Sequence, residues 1–308
     1  MKSKKDDTMK RLLALLTVIT AFAFAPVIAD ANEGVFTVKQ FNLNNKVDSI
    51  SEALLAMNNQ SSWQDEPVAG QYPIIAFYRN LDPNSLANFK SSMVPFPGTV
   101  SKPGCFVVKI TGTINIPESG NWTFACGSDD GFKVTISGNG FSKRFAYPSA
   151  RMSDTSLKTF SFPNAGEYVI HLVYFNKGMD SDLDYETNWG VYDHAELEFS
   201  MAKGSYSSFN SSAFSLVRAS SGEEYHDIVF DANGGEGEME AQVIVHGGKC
   251  TLSANAFFLN GYVFQGWATS TNGPVVYSDG AEITVDSDKT LYAVWNNPAL
   301  KLEAESAD

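Results

Sequence analysis

The chain is poor in cysteine and in basic residues, and each shortage excludes a class of protein. Three cysteines in 308 residues cannot form the dense disulfide framework of a small stapled scaffold. The 22 Lys and Arg residues are outnumbered by 35 Asp and Glu residues, which gives a formal net charge of −13 at pH 7. Because nucleic-acid phosphates require a basic face on the protein, we expect no nucleic-acid partner.

The sequence also lacks the short motifs that mark common active sites. It contains no Gly-x-Ser-x-Gly, His-Glu-x-x-His, P-loop or dinucleotide-binding pattern. Its histidines are scattered, at His171, His194, His226 and His246. Acidic residues are abundant, but no feature marks two of them as the acid and nucleophile of a glycosidase. We therefore predict that the chain is not an enzyme.

Long apolar runs are missing after the N-terminal segment, and the flanks of that segment are those of a secretory signal. Basic residues between Lys2 and Arg11 precede the apolar run Leu12–Ala25, and small residues follow it. The run is shorter than the roughly 20 residues of a membrane-spanning helix, although an uncleaved anchor is the alternative. We predict that residues 1–31 are a signal peptide, that no membrane span remains after cleavage, and that the protein is secreted or displayed on the cell surface.

Aromatic residues and dispersed glycines favour short strands and turns over long helices. Aromatics make up 13% of the chain, and 24 glycines are spread along it. One short helix is predicted near the N-terminus, where Ser49 and Glu52 have the spacing of a capping box. From Cys105 to Phe199, alternating apolar residues and turn clusters recur at the spacing of a β-sandwich or barrel. The predicted fold class is all-β.

Changes in composition divide the chain into two β units. Residues 32–218 contain the helix and most of the predicted strands, and they close with a Ser-rich stretch. Residues 219–225 are predicted to be a linker, and residues 226–296 a second, smaller β unit. Residues 297–308 form an acidic tail.

The cysteines are expected to be small buried side chains. If a turn falls at Pro117–Gly120, Cys105 and Cys126 lie on adjacent strands, with Cys126 opposite about Ile110 rather than opposite Cys105. That register does not favour a bridge, but the residues alone leave the pairing of these two cysteines open. Cys250 has no marked partner.

Two adjacent carboxylates, Asp129 and Asp130, precede Gly131 between two predicted strands. Adjacent carboxylates repel each other unless a positive group lies between them, and a hard cation such as Ca²⁺ satisfies this requirement with oxygen ligands. The alternative is a polar hairpin turn, because Asp-Gly is a strong turn dipeptide. From these residues alone, the turn is the favoured interpretation.

The sequence around this pair is similar to the PA-fourteen family, which is named after a fragment of anthrax protective antigen. The similarity rests on Phe106–Phe124 with its Pro-x-x-Gly turn, Ser128–Gly138 with its Asp-Asp-Gly, Phe160–Phe175 and Ala195–Phe199. It covers about residues 72–200. The resemblance implies a β-sandwich or barrel module of a kind found in adhesins, glycosidases and toxins.

The same resemblance implies a calcium-dependent sugar site. In lectin-like members, an adjacent Asp pair holds a Ca²⁺ ion that contacts sugar hydroxyls, so Asp129 and Asp130 become the expected metal ligands. A later loop completes the ion shell in those relatives, which suggests Asp184 or Asn188 as a further ligand and Trp189 as a platform for the sugar ring. The loop sequence of the family is not reproduced here, and a solvated acidic loop is the alternative.

The second unit, residues 226–296, is similar to the Listeria–Bacteroides repeat, also called the internalin B-repeat. The similarity rests on Ile228–Gly235, Gly261–Ala268, Asp279–Thr284 and Thr290–Trp295. It implies a β-grasp-like fold and occurrence in bacterial surface proteins. We expect a small aromatic core that consists of Tyr262, Phe264, Trp267, Leu291 and Trp295.

These features predict a secreted or surface-displayed bacterial binding module. The leading interpretation is Ca²⁺-dependent carbohydrate binding or adhesion, with a glycan or cell-surface polysaccharide as the partner. The first alternative is a surface-display or protein-interaction module that binds a protein and no sugar. The second alternative is an accessory part of a glycan-degrading system. The sequence leaves open the ligand, the occupancy by Ca²⁺, the oligomeric state, the mode of attachment and the cleavage site.

Overall fold

The computed structural model describes residues 34–79, 87–98, 104–178, 194–221, 223, 225–239 and 241–297. These residues form eighteen strands and one α-helix. The strands of the first unit are β1 (Phe36–Asn42), β2 (Val68–Tyr72), β3 (Ala76–Arg79), β4 (Val94–Pro95), β5 (Phe106–Ile116), β6 (Gly120–Asp129), β7 (Phe132–Gly138), β8 (Phe141–Tyr147), β9 (Asp154–Phe162), β10 (Gly166–Asn176), β11 (Ala195–Lys203) and β12 (Ser215–Leu216). Those of the second unit are β13 (Tyr225–Asp231), β14 (Gln242–Val245), β15 (Gly248–Thr251), β16 (Val263–Ala268), β17 (Glu282–Val285) and β18 (Lys289–Asn296).

The first unit is a sandwich of two six-stranded sheets. The first sheet has the order β2-β1-β5-β10-β7-β8, and the second has the order β4-β3-β11-β6-β9, with β12 added to β11. Alternate side chains of both sheets, such as Ile110 and Leu172 from the first and Phe124 and Phe199 from the second, meet in one apolar core. The all-β sandwich inferred from the sequence is therefore confirmed.

The turn at Pro117–Gly120 separates two strands that belong to different sheets. β5 lies in the first sheet, whereas β6 pairs with β9 and β11 in the second. The prediction that Cys126 lies opposite Ile110 is wrong, because Cys126 is opposite Ser156 of β9. Cys105 and Cys126 are both buried and Cys250 is partly buried, and none of the three forms a disulfide. An alternating pattern shows which way a side chain faces, and it does not show where the chain crosses between sheets.

The helix near the N-terminus is α1 (Ile50–Met57), and it starts at the predicted N-cap Ser49, although the returning bond of Glu52 goes to the residue before the cap. The Ser49 hydroxyl accepts a hydrogen bond from the Glu52 N–H at 3.3 Å, and the Glu52 carboxylate accepts one from the Asp48 N–H at 2.7 Å. The apolar face of α1 packs against side chains of β10 such as Phe175. The helix therefore covers one end of the outer face of the first sheet.

The second unit has a four-stranded sheet of order β14-β13-β18-β16 and a two-stranded sheet of β15 and β17. β13 and β18 are parallel and central, as a β-grasp-like unit requires. Phe264, Trp267, Leu291 and Trp295 pack in its core as expected. Tyr262 does not, because it lies in the turn before β16 with 43% of its surface exposed. The prediction of a core position for Tyr262 is wrong.

The two units contact each other through charged side chains on the outer face of the first sheet. The Lys109 ammonium of β5 lies 2.9 Å from Asp227 and 3.3 Å from Asp288 of the second unit. Lys39 lies 2.8 Å from Asp288, and His171 of β10 lies 3.4 Å from Asp227. The side chains of Lys109 and Asp227 are 9% and 2% exposed, so the contact is buried. We refer to these five residues as the interdomain ion cluster.

The segment expected to be a linker, residues 219–225, begins on the surface of the first unit. The Ala219 N–H donates to the Pro73 carbonyl at 3.0 Å, and the Ser220 N–H donates to the Thr113 carbonyl at 2.8 Å. The last residue of the segment is the first residue of β13. The chain therefore passes from one unit to the next within a few residues.

Several sequence-based predictions concern residues outside the described part of the structure. They are the signal peptide at residues 1–31, the loop that contains Asp184, Asn188 and Trp189, and all of the acidic tail after Asn297. Among the helices that the structure does describe, none is both long enough and apolar enough to cross a membrane.

Candidate functional site

Asp129 and Asp130 lie where the chain crosses from the second sheet to the first. Asp129 is the last residue of β6, and β7 begins two residues after Asp130. The peptide bond between the two residues is cis. β6 and β7 belong to different sheets and do not pair with each other, so the segment is not a hairpin turn. The pair therefore lies at one end of the sandwich, between the two sheets.

The carboxylate of Asp130 is buried and held by two backbone amides. Its Oδ1 accepts from the Arg151 N–H at 3.0 Å, and its Oδ2 accepts from the Lys177 N–H at 2.7 Å. The Ser128 hydroxyl donates to the backbone carbonyl of Asp130 at 2.6 Å. These bonds join the pair to the loop before β9 and to the residue after β10. Only 8% of the surface of Asp130 is exposed, so its side chain has little freedom to turn away.

The environment of Asp130 disfavours a negative charge in the protein alone. Burial raises the pKa of Asp130 to about 6, and the negative charge of Asp129 adds to this rise. The hydrogen bonds from the two backbone amides lower the pKa but do not cancel the rise. The nearby cations have other partners: the Lys177 ammonium lies 2.9 Å from Asp48, and the Arg151 guanidinium donates to the Ser128 hydroxyl at 2.9 Å. A divalent cation at the pair would favour the ionised carboxylates.

Asp129 is partly buried and lies beside an imidazole and a second buried acid. Its Oδ2 is 3.2 Å from Nδ1 of His194, and Nε2 of His194 is 3.7 Å from the carboxylate of Glu196. Glu196 also accepts a hydrogen bond from the Ser153 hydroxyl, and the Tyr174 hydroxyl donates to the Asp129 backbone carbonyl. The imidazole of His194 therefore lies between two carboxylates, those of Asp129 and Glu196.

A loop between β8 and β9 adds apolar surface next to the acidic pair. Met152 is 87% exposed, which is unusual for a large apolar side chain, and Tyr147 is also exposed. The Arg151 guanidinium lies 4.4 Å from the centre of the Tyr147 ring, while the Arg151 backbone holds Asp130. The same short loop thus fixes the carboxylate and presents Met152 to solvent.

The residues that position the pair could not be found from the sequence. Arg151 and Lys177 lie 21 and 47 positions away from Asp130, and His194 lies 65 positions away from Asp129. No local motif connects such positions, because the strand order of the sandwich brings them together.

The donor set of the pair suits a hard cation. Ca²⁺ takes roughly six to eight oxygen ligands, and carboxylate oxygens are among those it prefers. In the described part of the chain, no group of three or more His, Cys, Asp or Glu residues is placed so that it could hold a metal ion. The further ligands expected at Asp184 or Asn188, and the platform at Trp189, lie outside the described residues.

Comparison with protein families identifies both units. A family model described as the PA14 domain matches residues 67–200, and one described as the Listeria-Bacteroides repeat domain matches residues 226–294. Both resemblances inferred from the sequence are therefore confirmed, in the same order along the chain. No curated protein matches the chain at a significant level.

The similar solved structures include PA14 domains and adhesin domains. The PA14 domain of the MpAFP antifreeze protein is 16% identical with a TM-score of 0.40, and the match covers 62% of this chain and 92% of that one. A PA14 sugar-binding domain from an RTX adhesin is 17% identical with a TM-score of 0.36, covering 61% and 99%. The epithelial adhesin 6 A domain from Candida glabrata, in complex with Galb1-3GlcNAc, is 11% identical with a TM-score of 0.34, covering 63% and 88%. Similarity at this level assigns no ligand.

Proposed function

Because the chain contains a PA14 domain followed by a Listeria-Bacteroides repeat domain, we propose that it is an extracellular or surface-displayed binding module. We further propose that its PA14 domain binds carbohydrate through a Ca²⁺ ion held by Asp129 and Asp130. The observation that carries this proposal is the buried, amide-anchored carboxylate of Asp130 beside Asp129 at the crossing between the sheets.

The chemistry of the pair supports a role in sugar binding. Each carboxylate oxygen can accept more than one bond, so a single backbone amide on each oxygen of Asp130 leaves capacity for a metal ion. A bound Ca²⁺ with open coordination positions takes vicinal sugar hydroxyls, and the exposed side chain of Met152 supplies apolar surface near the pair. Asp184 or Asn188 as a further ligand, and Trp189 as the stacking platform, remain parts of this proposal.

Calcium binding is tested by thermal unfolding. A ligand present at 100 times its dissociation constant stabilises the native state by about 2.7 kcal/mol, which corresponds to a rise in Tm of roughly 5–10 °C for a domain of this size. We expect this rise with the wild type and its loss in D129N/D130N. The matched control is E118Q, which removes an exposed carboxylate at the opposite end of β6 and should keep the rise.

Sugar binding is then tested on a glycan array with and without a chelator. Binding that disappears with the chelator and in D129N/D130N supports the proposal. A wild type whose Tm does not respond to Ca²⁺ contradicts the metal site. A Ca²⁺ response without any glycan binding favours the alternative of a display or protein-interaction module.

A further inference from the structure

A cavity of about 390 Å³ lies between the two units, on the outer face of the first sheet. Its lining residues are Thr135 of β7, Ser142, Lys143 and Arg144 of β8, and Glu238 of the second unit. None of them belongs to the acidic pair or to the residues that hold it. Its volume is within the range of small-molecule sites, roughly 300–1,000 Å³.

The pleat of β7 and its pairing with β8 place polar side chains at this cavity. Val134 and Ile136 face the core of the sandwich, so Thr135 between them projects outwards. Thr135 is paired with Arg144 across the two strands, and Ser142 lies two residues before Arg144 on β8. Hydroxyl and guanidinium groups therefore share one face of a regular, well-paired ladder.

The second unit forms one side of this open cavity because it is docked on the same sheet. The interdomain ion cluster places β13 over β5 and β10, and β10 is the neighbour of β7 in the sheet order. The chain that follows β13 then carries Glu238 to the cavity. Neither unit alone supplies the whole lining, so the site exists only in the docked pair.

The chemistry of the lining differs from that of the rest of the chain. Acidic residues exceed basic residues by 35 to 22 overall, yet two cations and one acid line this cavity. Arg144, on the same face as Thr135, suits a carboxylate or sulfate group, and its neighbour Lys143 adds positive charge from the edge strand β8, while Thr135, Ser142 and Glu238 suit hydroxyl groups. We propose that this cavity binds a small ligand with one anionic group and several hydroxyls, as in an acidic sugar unit.

The test is calorimetric titration of the full secreted chain with D-glucuronate, in a chelator-containing buffer so that a calcium site cannot contribute. D-glucose is the neutral counterpart, and inorganic sulfate is the anion without hydroxyls. We expect glucuronate to bind at least tenfold more tightly than either. Equal binding of glucuronate and glucose would overturn the role of the cations, and sulfate binding as tight as that of glucuronate would overturn the assignment to a sugar.

Substitutions of exposed residues in and outside the cavity test whether glucuronate binds there. K143Q/R144Q should weaken glucuronate binding at least tenfold, whereas K249Q, which removes a 72% exposed cation elsewhere on the second unit, should leave it within twofold. E238Q removes the one acid of the lining, so it should strengthen sulfate binding and reduce the preference for glucuronate. Unchanged binding in K143Q/R144Q, or no change in selectivity in E238Q, would overturn the proposal.

Discussion

At the scale of single residues, the site depends on the carboxylate of Asp130, which the fold holds in one orientation although burial disfavours its negative charge. Asp130 could be singled out in the sequence because it adjoins Asp129 and Gly131. Its burial and its bonds to the amides of Arg151 and Lys177 could not, since they arise from contacts between distant strands. The sequence pattern therefore predicted that a carboxylate of interest lies at Asp130. The structure adds the orientation of this carboxylate and its raised pKa.

The raised pKa of Asp130 predicts a pH-dependent stability in the absence of metal. A carboxyl with a raised pKa in the folded state stabilises the fold fully only below its unfolded pKa, and the contribution is lost as the pH rises through the folded pKa. The rise from 3.8 to about 6 corresponds to a loss of about 3 kcal/mol. We expect the free energy of unfolding of the wild type, relative to D130A, to fall by this amount between about pH 4 and about pH 7.

Denaturant unfolding of the two proteins in chelator measures this difference directly. In a D129A background the same comparison should show a smaller fall, because the Asp129 carboxylate contributes to the raised pKa of Asp130. A difference between wild type and D130A that stays constant with pH would contradict the electrostatic account of Asp130.

At the scale of elements, local patterns predicted strands, turns and caps, and they failed at sheet membership. The turn between β5 and β6 and the cap of α1 were predicted correctly because both depend on neighbouring residues. The register of Cys126 was wrong because β6 pairs with strands that follow much later in the chain. The alternation of apolar and polar residues shows which face of the sheet a side chain lies on. Which strands pair with each other depends on the packing of the whole core.

The cap of α1 gives a prediction at this scale. Ser49 accepts the Glu52 N–H, so S49A should lower the free energy of unfolding by about 1 kcal/mol through loss of the N-cap. S51A is the matched control, because Ser51 is an exposed helical residue for which alanine has a better helix propensity. Urea unfolding of both variants measures the difference, and equal stabilities would show that the cap contributes nothing.

At the scale of the whole molecule, the interdomain ion cluster joins the two units through buried ion pairs. Burial opposes the ionisation of Asp227, but His171 and Lys109 outweigh it and hold the pKa of Asp227 well below its usual range. Such a pair is costly to break, because removing one partner leaves the other charge buried without compensation. The orientation of the second unit on the first sheet is therefore defined by specific side chains.

Removing the central cation of this cluster should separate the units. K109M leaves Asp227 buried without its 2.9 Å partner, which costs about 3–5 kcal/mol and favours an undocked arrangement. We expect a larger radius of gyration in small-angle X-ray scattering. K249M, which breaks an exposed ion pair within the second unit, should leave the radius unchanged. Identical scattering from all three proteins would contradict the importance of the cluster.

Acid should not separate the units by itself within the ordinary range of carboxyl titration. A lowered pKa means that the stability contributed by Asp227 is present above its unfolded pKa and is lost only as the pH falls through the lower folded value. We expect the scattering at about pH 4 to match that at about pH 7. Expansion already at pH 5 would show that other groups control the docking.

The parallel pairing of β13 and β18 also has a mechanical consequence. The first unit joins the start of β13, and the chain leaves the end of β18, so tension along the protein pulls the two adjacent strands at opposite ends. Residues Ile228–Asp231 of β13 pair with Lys289–Tyr292 of β18. Under this tension the hydrogen bonds between the two strands are loaded together in shear and do not break one after another. Force applied between the start of β13 and the end of β18 would therefore stretch this repeat along its most resistant direction.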